Sequence, residues 1–202
     1  MNILPISTII FDLSEVLIAG LIGIEKVLSS RLQIAPETIL PALGGQLLQE
    51  LCCGQFGEDV YLSRLLEQQQ WDISNTEIQT LIRKNFHQQV PGMEQLLLTL
   101  AGRYQLVLLS DHAPEWINYI QQVHPFLEIF SHQIFSYQLK QTKREPSTFL
   151  KVLAAIRQQP DQCLFIDDSA ANISAAGTVG IKGIQFINST QLVQELTKLN
   201  LL

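Results

Sequence analysis

The chain has 202 residues, 47% of them hydrophobic and 16% charged. That is room and apolar content for one folded domain, or a core with a modest insertion, and it excludes wholesale disorder. The 13 basic and 19 acidic residues leave a formal net charge of −6, which disfavours nonspecific binding to nucleic acid or to an anionic membrane.

The opening Met1-Asn2-Ile3-Leu4-Pro5-Ile6 has no basic region and no small-residue cleavage site, so no signal peptide is expected. No apolar run reaches the ~18 residues of a membrane helix. Thr8-Ile9-Ile10-Phe11 is a continuous, β-branched apolar run, which predicts a strand buried on both faces. From Ala19 to Val90 helical periodicity takes over. One helix is predicted from Ile22 to Leu32 and another around Val60, Tyr61, Leu65 and Leu66. A third opens on the capping box Ser74-Asn75-Thr76-Glu77, with Ile78, Leu81, Ile82 and Phe86 on one face. Gly44-Gly45 and Gly54 interrupt the pattern. A parallel crossover needs only about a dozen residues, so this stretch reads as an inserted helical subdomain that rejoins the sheet near Pro91-Gly92.

Strand and helix then alternate. A helix over Met93–Leu100 precedes a strand over Tyr104–Ser110, and Pro114 starts a helix with Trp116, Ile117 and Ile120 on one side. A weaker strand signal covers His132–Ser136. After Pro146, helical spacing places Phe149, Leu150, Leu153 and Ile156 inward. Strands follow at Gln162–Asp168 and Gly183–Ile187, and Ser189 is expected to cap a last helix burying Leu192, Val193, Leu196 and Leu199. This alternation predicts an α/β fold in three layers, with a parallel sheet between helices. Residues 1–18 and 91–202 form the expected core domain and residues 19–90 the helical insertion. Cys52, Cys53 and Cys163 are odd in number and form no CxxC, which points to core filler in a reduced, cytoplasmic protein.

Ligands of open parallel sheets bind beyond the carboxyl ends of the strands. The residues ending these runs are Asp12, Ser110, Asp167 and Asp168, with Lys143 in the loop before the helix that leads to the fourth of them. Clustered carboxylates repel one another unless a hard cation binds, and Mg²⁺ takes oxygen ligands while keeping waters that leave room for a phosphate. A carboxylate not committed to the metal can be a nucleophile. A nearby lysine and hydroxyl can stabilise charge on a transferring phosphoryl group.

With these residues in order, the chain resembles the haloacid dehalogenase-like (HAD) superfamily. Ile9-Ile10-Phe11-Asp12-Leu13-Ser14-Glu15 looks like its first motif, Leu108-Leu109-Ser110-Asp111 its second, Lys143-Arg144-Glu145-Pro146 its third, and Phe165-Ile166-Asp167-Asp168-Ser169-Ala170-Ala171-Asn172 its fourth. The resemblance implies a Rossmann-like core with a helical cap after the first strand, closest to capped phosphatases of small substrates such as sugar phosphates. It implies Asp12 as nucleophile, Lys143 as catalytic and phosphate-binding lysine, and Ser110 as phosphate ligand. Mg²⁺ would be held by Asp12, the Ser14 backbone carbonyl, Asp167 and Asp168, with Asn172 supporting. The implied partner is a small phosphorylated metabolite, with no nucleic acid and no membrane; the oligomeric state stays open. One Mg²⁺ would offset two negative charges of the acidic site, so the overall acidity does not count against a phosphorylated substrate.

One position departs from the pattern. Phosphatases of the superfamily usually carry an acid–base aspartate two residues after the nucleophile, and here that residue is Ser14. A hydroxyl cannot do that work near neutral pH, and positioned acid–base groups contribute ~10²–10⁴-fold. Three outcomes are open: Glu15 substitutes, the substrate has a good leaving group such as an acyl or aryl phosphate, or the fold serves only to bind a phosphorylated ligand or a protein partner. Haloacid dehalogenases have tyrosine there and lack the acids of the fourth motif, so Asp167 and Asp168 argue against dehalogenation. Phosphonate-cleaving members use alanine there with a cap lysine; Lys26 and Lys84 lie in the insertion, but nothing singles either out. The bland alternative for Ser110 is a helix cap, for Asn172 a helix-start hydrogen bonder, and for His112 a loop histidine.

Overall fold

The computed structural model describes residues 5–202, so Met1–Leu4, with the start of the segment expected to lack a signal peptide, lie outside the description. Among the described residues five strands form one parallel sheet: β1 (Thr8–Phe11), β2 (Gln105–Ser110), β3 (His132–Phe135), β4 (Cys163–Asp167) and β5 (Lys182–Gln185). Their order is β3-β2-β1-β4-β5. Because side chains alternate along a strand, β1, β2 and β4 feed two cores. Ile9, Phe11, Leu106, Leu108, Leu164 and Ile166 join the larger core; Ile10, Val107, Leu109, Cys163 and Phe165 join the smaller. Burial on both faces is what the unbroken apolar runs require.

Helices α1 (Ile24–Leu32), α2 (Ile39–Leu43), α3 (Gly45–Cys52), α4 (Glu58–Gln69) and α5 (Asn75–Phe86) lie between β1 and β2. The sequence reading did not find α2 and α3, short elements that meet at Gly44-Gly45. After α6 (Met93–Ala101) come α7 (Pro114–Val123), α8 (Ser136–Leu139), α9 (Pro146–Ile156), α10 (Ala170–Thr178) and α11 (Ser189–Lys198). None of the described helices is long and apolar enough to cross a membrane.

Several local expectations change. Leu150 and Val193 are exposed, while Val152, two residues beyond Leu150, is buried. An apolar residue at the margin of a helical stripe can fall on either side of it. The cap of α11 is Asn188, whose side chain accepts from Gln191 N, and Ser189 is the first helical residue. Half of the predicted box on α5 forms: Ser74 Oγ accepts from Glu77 N at 3.1 Å. The Glu77 carboxylate instead takes both Nε and Nη2 of Arg31, at 2.6 and 3.2 Å.

Two chain segments enter and leave the helical stretch side by side. Ile18 pairs antiparallel with Gln89, Ala19 N donates to Gln88 O at 2.8 Å, and Val90 N donates to Leu17 O at 2.9 Å. A buried carboxylate on α4 then ties the helices to the sheet layer. Glu58 accepts from Arg83 Nη1 and Nη2 at 2.7 and 2.6 Å, from Gln79 Nε2 at 2.8 Å, and from Trp116 Nε1 of α7 at 2.7 Å. Four donors satisfy a charge that would be costly alone. Glu58→Ala leaves Arg83 and the Trp116 indole unpaired, and urea unfolding should show a loss of about 3 kcal/mol. A loss below about 0.5 kcal/mol, the ordinary range for surface changes, would contradict this.

Candidate active site

The sheet order places β1 where crossovers change direction, with β2 on one side and β4 on the other, the usual site of a ligand crevice. Phe11 is in register with Leu108 and Ile166, and Asp12 N extends the ladder by donating to Ile166 O at 2.9 Å. Asp12, Ser110 and Asp167 therefore leave the same sheet edge side by side.

Lys143 reaches into this edge from the loop before α9. It is 2% exposed, and its Nζ lies 2.5 Å from Asp12 Oδ1 and 2.8 Å from Asp167 Oδ2. Asp111 holds the Lys143 backbone, both carboxylate oxygens accepting from its N–H at 3.1–3.2 Å. Burial alone would lower the pKa of Lys143, but Asp12, Asp167 and Asp111 together hold it above the ordinary lysine value. Burial pushes Asp12 well above the usual carboxylate range; Lys143 opposes the shift, while Asp167 and Asp168 add to it. Asp168 is raised by burial and by Asp167, again against Lys143. Four carboxylates around one ammonium are an excess of negative charge that a divalent cation would relieve.

Asp12 Oδ1 also accepts from Leu13 N at 2.6 Å and from Ser110 Oγ at 3.4 Å. These donors and Lys143 Nζ converge on the one oxygen, Oδ1. Asp167 is fully buried and braced: Asn172 Nδ2 lies 3.1 Å from both its oxygens and Ser169 N donates to Oδ1 at 2.8 Å. Ser110 caps no helix, since α7 begins after Ala113. Ligand atoms of Asp12, Asp167 and Asp168 lie within 4.8 Å of one another, an all-oxygen set that fits a hard cation such as Mg²⁺.

Ser14 and Glu15 face a cavity of about 210 Å³ whose walls include Leu21, Ile22, Phe86 and Trp116. Glu15, at φ 62°, turns its carboxylate onto the following loop and accepts from Gly20 N at 2.8 Å and Ile22 N at 3.2 Å. A Cβ on Gly20 would lie 2.7 Å from the Ser14 side chain, so this turn requires glycine. Beside this cavity a cleft of about 790 Å³ opens between α3 and the loop carrying Lys140 and Arg144. Lys26 and Lys84 line neither space.

The residue that sequence reasoning left out is His112. It is buried, edge-on to Phe86 and Trp116, with Nδ1 2.7 Å from Ser110 Oγ and Nε2 3.0 Å from Ser14 Oγ. The available signal was its place two residues beyond Ser110, at a strand end.

Fold and site together define a Rossmann-like hydrolase with a lysine-bridged carboxylate centre. The family profile described as haloacid dehalogenase-like hydrolase matches residues 6–180, and the chain belongs to that family. A HAD family enzyme from Bacteroides thetaiotaomicron superposes with a TM-score of 0.77 at 22% identity, covering 94% of this chain and 99% of that one. Its structure with magnesium and inorganic phosphate gives 0.74 at 21%, over 93% and 98%. A predicted HAD-like family hydrolase from Porphyromonas gingivalis gives 0.78 at 22%, over 98% of both chains. In sequence, the chain is 29% identical over 110 residues to a chloroplastic flavin mononucleotide hydrolase of Arabidopsis thaliana, a match covering 54% of this chain and 45% of the relative. The match thus spans about half the length of that relative.

Burial, with Lys143 adding to it, pushes the His112 pKa down to about 3 from the ordinary 6.5. The unfolded chain therefore binds more protons than the folded one between those values, and stability falls as pH drops through that window. The raised carboxylates act in the opposite direction but are common to any His112 variant. Relative to His112→Asn, the wild type should lose up to ~1.4 kcal/mol more per pH unit between about pH 6 and about pH 4. Parallel pH–stability curves from urea titration would contradict the buried, neutral imidazole.

Proposed function

We propose that this hydrolase is a Mg²⁺-dependent phosphatase of a small phosphorylated metabolite, working through an aspartyl-phosphate on Asp12. The observation that carries the reading is Lys143 Nζ between Asp12 and Asp167, with Ser110 Oγ donating to the same Asp12 oxygen that Lys143 meets. Asp12, the Ser14 carbonyl, Asp167 and Asp168 would hold the metal, which when bound neutralises charge on the phosphoryl oxygens. Helices α1–α5, within residues 19–90, are assigned as a cap over the core formed by residues 1–18 and 91–202.

A carboxylate oxygen of Asp12 attacks phosphorus as the bond to the leaving oxygen breaks. Lys143 Nζ and Ser110 Oγ donate to the phosphoryl oxygens. Water then opens the acyl phosphate, releasing inorganic phosphate and the Asp12 carboxylate. Asp167 and Asn172 keep Lys143 aimed throughout.

The leaving group departs without a protein acid. Ser14 cannot supply a proton, and Glu15 is spent on the Gly20–Ile22 loop. This favours substrates whose leaving group needs no proton, such as aryl or acyl phosphates. The small cavity beside Ser14 supports the same choice, because its walls are largely aliphatic and aromatic. A second reading has its own support: the 790 Å³ cleft is within the range that holds drug-sized ligands, and the Arabidopsis relative is named for flavin mononucleotide.

With Mg²⁺ an aryl phosphate should turn over, EDTA should stop turnover, and Asp12→Asn should lower it by ~10³-fold or more. Flavin mononucleotide hydrolysed with a higher kcat/KM than aryl phosphates would favour the second reading, and Asp12→Asn matching the wild type would remove both. Ser14→Asp should raise kcat on alkyl phosphates by ~10–100-fold; a folded, Mg²⁺-binding variant with no gain would refute the account of position 14.

A further inference from the structure

A neutral imidazole has one N–H donor and one lone-pair acceptor. His112 is buried between two hydroxyls, so one of them accepts from the ring while the other donates to it. Each serine in turn has a single proton. Ser110 stands between the ring and the Asp12 carboxylate, at 2.7 Å and 3.4 Å. If Ser110 gave its proton to Nδ1, its lone pairs would face an anionic oxygen, an arrangement that costs energy in a low-dielectric site. With its proton toward Asp12, Ser110 takes its own hydrogen bond from Nδ1–H. Nε2 is then the lone pair, and Ser14 Oγ–H must donate to it.

We infer that His112 is a positioning residue: its Nδ1–H holds the Ser110 hydroxyl as a donor toward Asp12 and the phosphoryl group, and its Nε2 takes the Ser14 proton away from the leaving group. The part concerning phosphate rests on the phosphatase reading above; the part concerning Asp12 does not. The fold fixes the ring for this task. Phe86 of α5 and Trp116 of α7 meet it edge-on with centroids 6.1 Å away, and His112 N donates to Ser136 Oγ at 3.1 Å. Ser136 Oγ in turn donates to Cys52 O of α3 at 2.6 Å. The orientation of Ser110 thus depends on the seating of α3 and α5 against the core.

The direct test is the ring tautomer, read by long-range ¹H–¹⁵N correlation on the labelled full chain, with His112→Asn used for assignment. The expected result is a protonated Nδ1 and a bare Nε2; the reverse tautomer overturns the inference. Inorganic phosphate binding in Mg²⁺, measured by calorimetry, supplies the second arm. His112→Ala should weaken binding by ~10-fold or more, because Ser110 loses its orienting donor. His112→Asn, whose amide N–H can stand in for Nδ1–H, should remain within ~3-fold of wild type. Equal losses in two variants that both melt cooperatively would overturn the positioning role. The expected tautomer in a wild type that binds no phosphate would sustain the contact to Asp12 and remove the phosphatase reading instead.

Discussion

A lysine ammonium buried among carboxylates organises this molecule. An isolated ammonium at the position of Lys143 would cost several kcal/mol in lost hydration. Asp12 and Asp167 compensate at 2.5 and 2.8 Å, and each of them is itself tied to backbone and side-chain donors. Removing Lys143 leaves two buried carboxylates without their cation, so the cluster constrains β1, β4 and the loop before α9 together. The same cluster is over-supplied with negative charge. Burial raises Asp12 and Asp168, their acidic neighbours add to the shift, and the surplus is charge that a divalent cation would offset.

The helical segment meets this centre through a few specific groups. Its two connections run antiparallel at Ile18 and Gln89, close to Ser14. Glu15 and Asn85 pin the loop that follows from opposite sides: Glu15 takes the N–H groups of Gly20 and Ile22, and Asn85 Nδ2 donates to the carbonyls of the same two residues at 2.7 and 2.9 Å. A carboxylate with raised pKa beside an incomplete acid–base position looks available for catalysis. Its hydrogen bonds assign it to the backbone instead. Position 14 is left with a hydroxyl hydrogen-bonded to the His112 ring.

Much of this was legible in the sequence, for physical reasons. Strands buried on two faces write unbroken apolar runs, so β1, β2 and β4 could be placed within a residue, and the acids that follow them had to share an edge. Asn172 was ambiguous because a helix-start asparagine and a brace look alike one turn into α10; only the 3.1 Å contacts to both Asp167 oxygens separate them. Helices α2 and α3 were missed because short elements around a glycine pair carry too little periodicity. Leu150 and Val193 were misassigned because apolar content does not say on which side of a stripe's margin a residue falls. Glu58 and His112 escaped for a different reason. Their roles depend on partners far along the chain, Trp116 and Arg83 for the first and Ser14 for the second, and the one local signal is the place of His112 two residues beyond Ser110.

The central claim is that Asp12 carries the phosphoryl group and that its release is unaided by a carboxylate at position 14. Rapid-quench kinetics with an aryl phosphate and Mg²⁺ tests this most directly. The account predicts a burst of aryl alcohol approaching one equivalent per site, a slower steady state, and an acid-trapped phosphoryl group on the peptide that contains Asp12. Turnover without a burst, with the label absent from that peptide or found on another residue, would contradict it.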